Sequence, residues 1–295
     1  MRITLPASLV QPGHPDFEVL SDVELAMLRQ LHGSVVKFRD ELGNAIRSSI
    51  DIVIDTPKTN RRTVIELEKT EKTYLGTRVE IELRALLKAP KGKLDMVLGG
   101  HDVDVKFTIG SNWMIPREAI NEVCILIAAD EPLERLYVGL ILAKPEHLTG
   151  GANRDGKKSV SAEGFKNIRW LVQGEPYPAN FWKSVPPAQV EEIFEGRSGN
   201  ERIASLFTLV QQTPIPRSVI ADVAKQQDFM KRVRTNGGAR DQLSTRGIVV
   251  LHGKTDGPLI RLLSLPTCTA DDFISKTLTD PAEKILARRL GHVVS

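Results

Sequence analysis

Between residues 80 and 106 lie four side chains with the types and spacing that phosphodiester hydrolysis requires: Glu80, Asp95, Asp104 and Lys106. Hard carboxylate oxygens hold Mg2+, an ion that keeps several waters and binds phosphate. Such an ion polarises the phosphoryl oxygen and lowers the pKa of a bound water. A lysine beside the attacking water can orient it, help deprotonate it, or offset charge building on the phosphate. The tripeptide Asp104-Val105-Lys106 is weak support alone: acid-x-Lys is expected about twice by chance at this composition, and it occurs twice. The other copy, Asp155-Gly156-Lys157, falls in a glycine-rich loop that no strand is expected to stiffen. The first copy falls in a strand, after a helix bearing Glu80 and with Asp95 nine positions upstream.

The elements that must position these groups follow from apolar spacing. Residues 73–89 read as a helix with Leu75, Val79, Leu83 and Leu86 on one side, stopped by Pro90. Residues 93–98 read as a strand, Gly99-Gly100 as a tight turn and residues 101–108 as the hairpin partner. Alternation along that partner puts Asp102, Asp104 and Lys106 on one face and Val103, Val105 and Phe107 on the other. The apolar runs 123–129 and 136–143 are expected to be strands buried on both faces. Upstream, residues 21–50 read as a helix opened by the capping box Ser21-Asp22-Val23-Glu24 and bent at Gly33-Ser34. Downstream come a polar loop at 149–158, a helix at 161–172, and a Pro-rich connector at 173–199 with one short helix at 187–194.

From residue 200 the pattern changes to helices at 200–212, 216–226 and 229–243, the last bent or broken at Gly237-Gly238. Strands at 248–251 and 259–263 follow, around a turn at 253–257. Three helices and a two-stranded wing make a winged helix, in which the third helix enters the major groove of DNA. That helix carries Lys231, Arg232, Arg234, Arg240 and Arg246 for phosphate or guanine contacts, and Asn236 and Gln242 for adenine edges. A winged helix can also serve protein–protein contact, and helix polarity alone leaves that open.

Composition is compatible with this division. A length of 295 residues favours two domains, and 41% hydrophobic content is enough for packed cores. The net charge of +3 is uneven: residues 201–295 hold 14 basic and 9 acidic side chains, and residues 225–246 hold six and two. That asymmetry points toward nucleic acid. No apolar run approaches a membrane span, and the N-terminus lacks a secretory apolar core. Cys124 and Cys268 are isolated, which excludes a disulfide scaffold or a cysteine-rich zinc site and fits a reducing cytoplasm. The six histidines show no metal-ligand spacing.

The order helix, strand, strand, two buried strands is that of the PD-(D/E)xK nuclease core, an α/β fold on a mixed sheet. More specifically, the segments 74–82, 102–107, 150–158 and 229–240 resemble the NaeI-type type II restriction endonucleases. The resemblance covers most of the chain. It includes the order nuclease domain then winged helix, and with the change in composition at 173–199 gives an endonuclease domain at 1–172, a linker at 173–199 and a C-terminal winged-helix/helix-turn-helix domain at 200–295. It also implies Glu80, Asp95, Asp104 and Lys106 as the catalytic set, with the three acids on Mg2+. The expected partner is double-stranded DNA, cut by a homodimer and activated by a second copy on the C-terminal domain. Leu94 stands where the wider superfamily has proline before the first Asp. Glu82 is the rival of Glu80: two positions apart on a helix they point roughly 200° apart, and the family's spacing favours Glu80. Asn153, Arg154, Lys157 and Lys158 fall in the loop that resembles the family, as DNA contacts or as a solvated loop. Asp102 is expected as a turn or supporting acid, His101 as a solvated turn residue, and the three tryptophans as packing.

Three rival readings remain at this point: a DNA-binding regulator with an inactive nuclease fold, a repair nuclease without sequence specificity, and an adaptor using its winged helix for protein contact. The recognition sequence, the cut position and any methylation sensitivity are not legible, because base readout depends on loop conformation and DNA shape.

Overall fold

Helical stripes and continuous apolar strands meet in the first of two units. The computed structural model describes residues 3, 5–226, 228–234 and 237–294. They cluster into one unit of residues 1–54 and 63–180 and another of 55–62 and 181–295. The N-terminal helices are α1 (Phe17–Arg29), α2 (Val35–Ile54), the one-turn α3 (Thr56–Thr59) and α4 (Lys69–Leu87). Apart from α3, which belongs to the second unit, they build the helical side of the first. α4 buries Leu75, Val79, Leu83 and Leu87, a four-residue repeat that gives one face to the core.

The sheet has the order β1-β2-β4-β5-β7, with β1 (Met96–Leu98), β2 (His101–Thr108), β4 (Val123–Asp130), β5 (Arg135–Leu142) and β7 (Arg169–Pro176). Only the β2–β4 pairing is parallel. All eight residues of β4 are buried. Val123, Ile125 and Ile127 face the core built with the helices, while Cys124, Leu126 and Ala128 face a second core containing Trp113, Phe165 and Ile168. A sheet covered on both sides needs uninterrupted apolar strands, which explains the runs in the sequence. The β1–β2 turn is Gly99-Gly100, both at positive φ, and a Cβ at Gly99 would lie 2.7 Å from the Asp22 carbonyl oxygen.

Several expected elements differ. The first helix starts at Phe17, so Ser21 to Glu24 lie inside it and cap nothing, and the predicted bend at Gly33-Ser34 is a break between two helices. Residues 161–172 are not one helix: α5 (Ala162–Lys166) is one turn capped by Ser161, and β7 follows as an edge strand against β5. Ile168 and Trp170 face one core while Leu171 and Val172 both pack on the other, across a register shift that breaks the strand period, so a short apolar window does not separate this strand from helix. The loop at 149–158 also ends on a strand. β6 (Lys158–Ser159) pairs with β3 (Met114–Ile115), so Asp155-Gly156-Lys157 leads into a two-stranded ribbon.

In the second unit, α6 (Pro187–Glu195), α7 (Gly199–Leu209), α8 (Arg217–Ala224) and α9 (Ala239–Thr245) pack around Ile203, Phe207, Ile220, Leu243 and Phe273. The predicted third helix is only a 3-10 turn at Phe229–Arg232 followed by α9. The predicted strand at 259–263 is a helix, α10 (Gly257–Leu262). Pro258 suits a first helical turn, and Leu259, Ile260 and Leu263 are buried while Arg261 is exposed, a helical burial pattern. The strand β8 (Ile248–His252) pairs instead with the later β9 (Phe273–Thr277), antiparallel. The chain closes with α11 (Pro281–Arg289). Among the described residues no helix is long and apolar enough to cross a membrane.

Candidate active site

Hairpin geometry brings the acids together. Asp95 immediately precedes β1, and its N–H still bonds to the Val103 carbonyl at 3.1 Å. Its Oδ2 accepts the Val105 N–H at 2.7 Å. The Asp95 carboxylate is thereby fixed on the backbone between Asp104 and Lys106. Asp104 is 4% exposed, and Lys106 Nζ donates to its Oδ1 at 2.8 Å and lies 2.7 Å from its Oδ2. The parallel register sets Cys124 beside Asp104, with Sγ 3.9 Å from Oδ2.

Glu80 comes from α4. Nη1 of Arg84, one turn on, donates at 3.3 Å both to Glu80 Oε1 and to the Asp95 carbonyl oxygen, joining the helix to the start of β1. Burial and then the negative charge of Asp95 raise the Glu80 pKa, with Arg84 and Lys106 opposing. Burial raises the Asp104 carboxyl to about 6 against the opposing pull of Lys106, and Asp95 adds to the rise. Burial, followed by the Asp104 charge, pushes the Cys124 thiol up, so it stays protonated. Beside Asp95 the charged forms of Glu80 and Asp104 are disfavoured, a cost that a cation would relieve.

Glu82 is directed elsewhere. It is 42% exposed and pairs with Arg78 at 3.3 Å. Asp102 accepts from the Lys93 and Leu94 N–H groups at 3.1 Å, ordering the segment before β1 rather than joining the cluster. His101 Nε2 lies 3.6 Å from Asp22, away from the acids. Trp113 is buried, its indole N–H donating to the Ile127 carbonyl at 2.8 Å.

Glu80 and Lys106 open onto a groove of about 660 Å³. Phe107, Met114 and, from the glycine-rich loop, Lys157 also line it. Asn153 organises that loop: its Oδ1 accepts from the N–H groups of Asp155 and Lys157. Arg154 is exposed and Lys158 half-buried. Of these four, Lys157 alone lines the groove. Lys69 and Lys72, on the N-terminal half of α4, also line it, and sequence reasoning missed them. Counting back from Glu80 at helical intervals would have found both.

In the second unit Arg234, Gln242 and Arg246 are exposed. Lys231 is paired with Asp228 and Arg232 with Gln226. Arg240 lines a pocket with Asp256 and His292 and, like Arg232, is half-buried. Asn236 lies outside the described residues.

Among the described residues no group of three or more His, Cys, Asp or Glu side chains forms a ready-made metal cage. Mg2+ does not require one, because it is held by one or two carboxylates with waters and phosphate. Asp95 and Asp104, hard oxygen donors of which the first raises the proton affinity of the second, fit that demand.

The family described as Restriction endonuclease NaeI matches residues 39–284. The chain is 35% identical over 256 residues to the Type II restriction enzyme NaeI of Lentzea aerocolonigenes, covering 83% of this chain and 80% of that enzyme. The matched region contains the whole acid cluster and most of both units, and on that extent of similarity this chain belongs to the NaeI restriction endonuclease family.

Proposed function

We propose that the protein is a Mg2+-dependent type II endonuclease that hydrolyses double-stranded DNA at a specific sequence. The observation that carries this reading is the clustering of Glu80, Asp95, Asp104 and Lys106, with Glu80 and Lys106 lining a groove, in a chain of this family. Asp95 and Asp104 would hold Mg2+, with Glu80 beside them; when bound, the ion polarises the scissile phosphate and lowers the pKa of a coordinated water. Asp95 has one oxygen committed to the Val105 N–H, which fixes the direction of the other. The ion pair with Asp104 holds Lys106 in place. From there Lys106 Nζ orients the attacking water and offsets negative charge on the phosphate oxygens. Glu80, with raised proton affinity, draws a proton from that water.

The second unit is proposed as a winged-helix module, with α7, α8 and α9 as its helices and β8–β9 as its ribbon. Exposed Arg234, Gln242 and Arg246 supply the DNA-facing groups. It would bind a second DNA copy that activates cleavage by a homodimer in the cytoplasm. The resemblance of the sequence to the family and the basic excess of residues 225–246 support this part.

Incubation of the purified chain with phage DNA, with Mg2+ or EDTA, tests the reading. Discrete Mg2+-dependent fragments are expected. A smear would replace it with a nuclease lacking sequence specificity. Intact DNA despite salt-sensitive binding, in the presence of several activator duplexes, would replace it with a regulator.

A further inference from the structure

The groove does not end at the acids. It continues along the N-terminal half of α4, where Lys69, Lys72, Thr73, Gly76 and Thr77 line it ahead of Glu80. Lys157 lines the same groove from the loop. Lys69, Lys72 and Lys157 are exposed, and no ion pair engages any of them among the described residues. Three cations on one groove, with no acid paired to them among the described residues, are left for whatever enters it.

Gly76 is the unexpected member. Glycine inside a helix is among the least favourable choices, and it is normally retained where a backbone must adopt positive φ or where a neighbour presses close. Neither holds here. Gly76 is not among the positive-φ residues, and a Cβ built on it would meet nothing within 4 Å. The fold has room for a side chain one turn from Glu80. Nothing inside the described fold accounts for the glycine, whose backbone lines the groove.

We infer that the N-terminal half of α4 is a rail for one strand of the DNA substrate. Gly76 is the point of closest approach, and Lys69 and Lys72, facing Lys157 across the groove, hold phosphates flanking the scissile one. The lengths agree. Gly76 lies four residues and Lys69 eleven residues from Glu80, about 6 and about 16 Å along the axis at 1.5 Å per residue. One DNA strand carries a phosphate about every 3.4 Å of duplex axis, so the rail spans roughly two to five nucleotides from the cleaved bond. This inference rests on the nuclease reading and adds the path of the substrate through that site.

The test uses the full-length protein. Gly76→Ala and Gly76→Leu are expected to melt at or above the wild-type temperature, Ala higher by about 2–4 °C. Their Mg2+-dependent cleavage of plasmid DNA should fall at least tenfold, Leu more than Ala. Binding to the same plasmid DNA in EDTA is the second readout. Removing both charges in Lys69→Ala/Lys72→Ala should reduce the slope of log affinity against log salt by about 1.8, while Lys37→Ala on α2, outside the groove, should not. If the wild type cleaves and the glycine variants cleave equally well, or the double-lysine variant keeps the full salt slope, the rail is wrong and the nuclease reading stands. Glycine variants that melt well below wild type would also overturn it, because the fold itself would then need Gly76. A wild type that neither cuts nor binds DNA would remove the nuclease reading and the rail together.

Discussion

Lys106 Nζ lies within 2.8 Å of both carboxylate oxygens of Asp104, two residues earlier on the same strand, while the N–H of the residue between them is held by Asp95. The pairing ties the protonation of a buried acid to the position of the lysine, and consequences for pH, activity and stability follow from it.

Asp104 holds its proton up to about pH 6, raised from 3.8 chiefly by burial and against the pull of Lys106. Below that pH the neutral carboxyl neither anchors the lysine as an ion pair nor serves a cation. Protons and Mg2+ should therefore compete for this carboxylate, so the Mg2+ concentration that half-saturates single-turnover cleavage should fall as pH rises to about 6 and then level off. A half-saturating concentration unchanged from about pH 5 to about pH 8 would contradict the assignment. The stability sign is opposite. A raised carboxyl pKa in the fold contributes stability below the unfolded value, and that contribution is lost as pH rises through about 6. The urea midpoint of the wild type, relative to Asp104→Asn, should fall between about pH 4 and about pH 6.

Glu80 and Glu82 separate cleanly. Glu80 is disfavoured as an anion by burial and by Asp95, whereas Glu82 is exposed and paired with Arg78. Glu80→Gln should lower single-turnover cleavage by about 10² or more and, at about pH 8, raise the melting temperature, because the penalty of charging a raised carboxyl disappears. Glu82→Gln should cleave within about twofold of wild type. Equal losses from both substitutions would contradict the placement.

A second buried network supports the sheet from the other end of the first unit. Arg47 on α2 pairs with Asp51 at 2.7 Å and lies 3.8 Å from Glu131, which is 2% exposed and also accepts from Asn180 at 3.0 Å. Arg47→Ala leaves that acid without its cation. Urea unfolding should show a loss of about 3–5 kcal/mol; a loss under about 1 kcal/mol would mean that solvent already screens the pair.

For the second unit, Arg234→Ala/Arg246→Ala should abolish stimulation of cleavage by an added activator duplex while leaving the slow unstimulated rate. Undiminished stimulation in that variant would move the second DNA copy to another surface.

The sequence made the site more legible than the frame around it. Acids on a hairpin closed by two glycines are a local arrangement, so alternation along β2 and the Gly99-Gly100 turn were enough to bring Asp95 beside Asp104. β7 and α10 were not legible for opposite reasons. β7 is an edge strand whose half-buried residues dilute its alternation, and its register against β5 is irregular. α10 is a six-residue helix whose apolar cluster also suits a strand, and the true partner of β8 lies beyond it at residues 273–277, a pairing that local periodicity does not reach. Lys69 and Lys72 were passed over because a lysine on an exposed helix face is ordinary; only the groove gives them a common direction.

The central claim is that one lysine held by one buried acid drives metal-dependent DNA hydrolysis. The most direct measurement is single-turnover cleavage of a duplex carrying a mapped cut site, by wild type and by Lys106→Ala with matching circular dichroism, in Mg2+ and in EDTA. The account predicts rapid cutting by the wild type in Mg2+ alone, and a loss of about 10²–10⁴-fold in the variant with DNA binding retained. Cleavage by Lys106→Ala at the wild-type rate, or cleavage undiminished in EDTA, would contradict it.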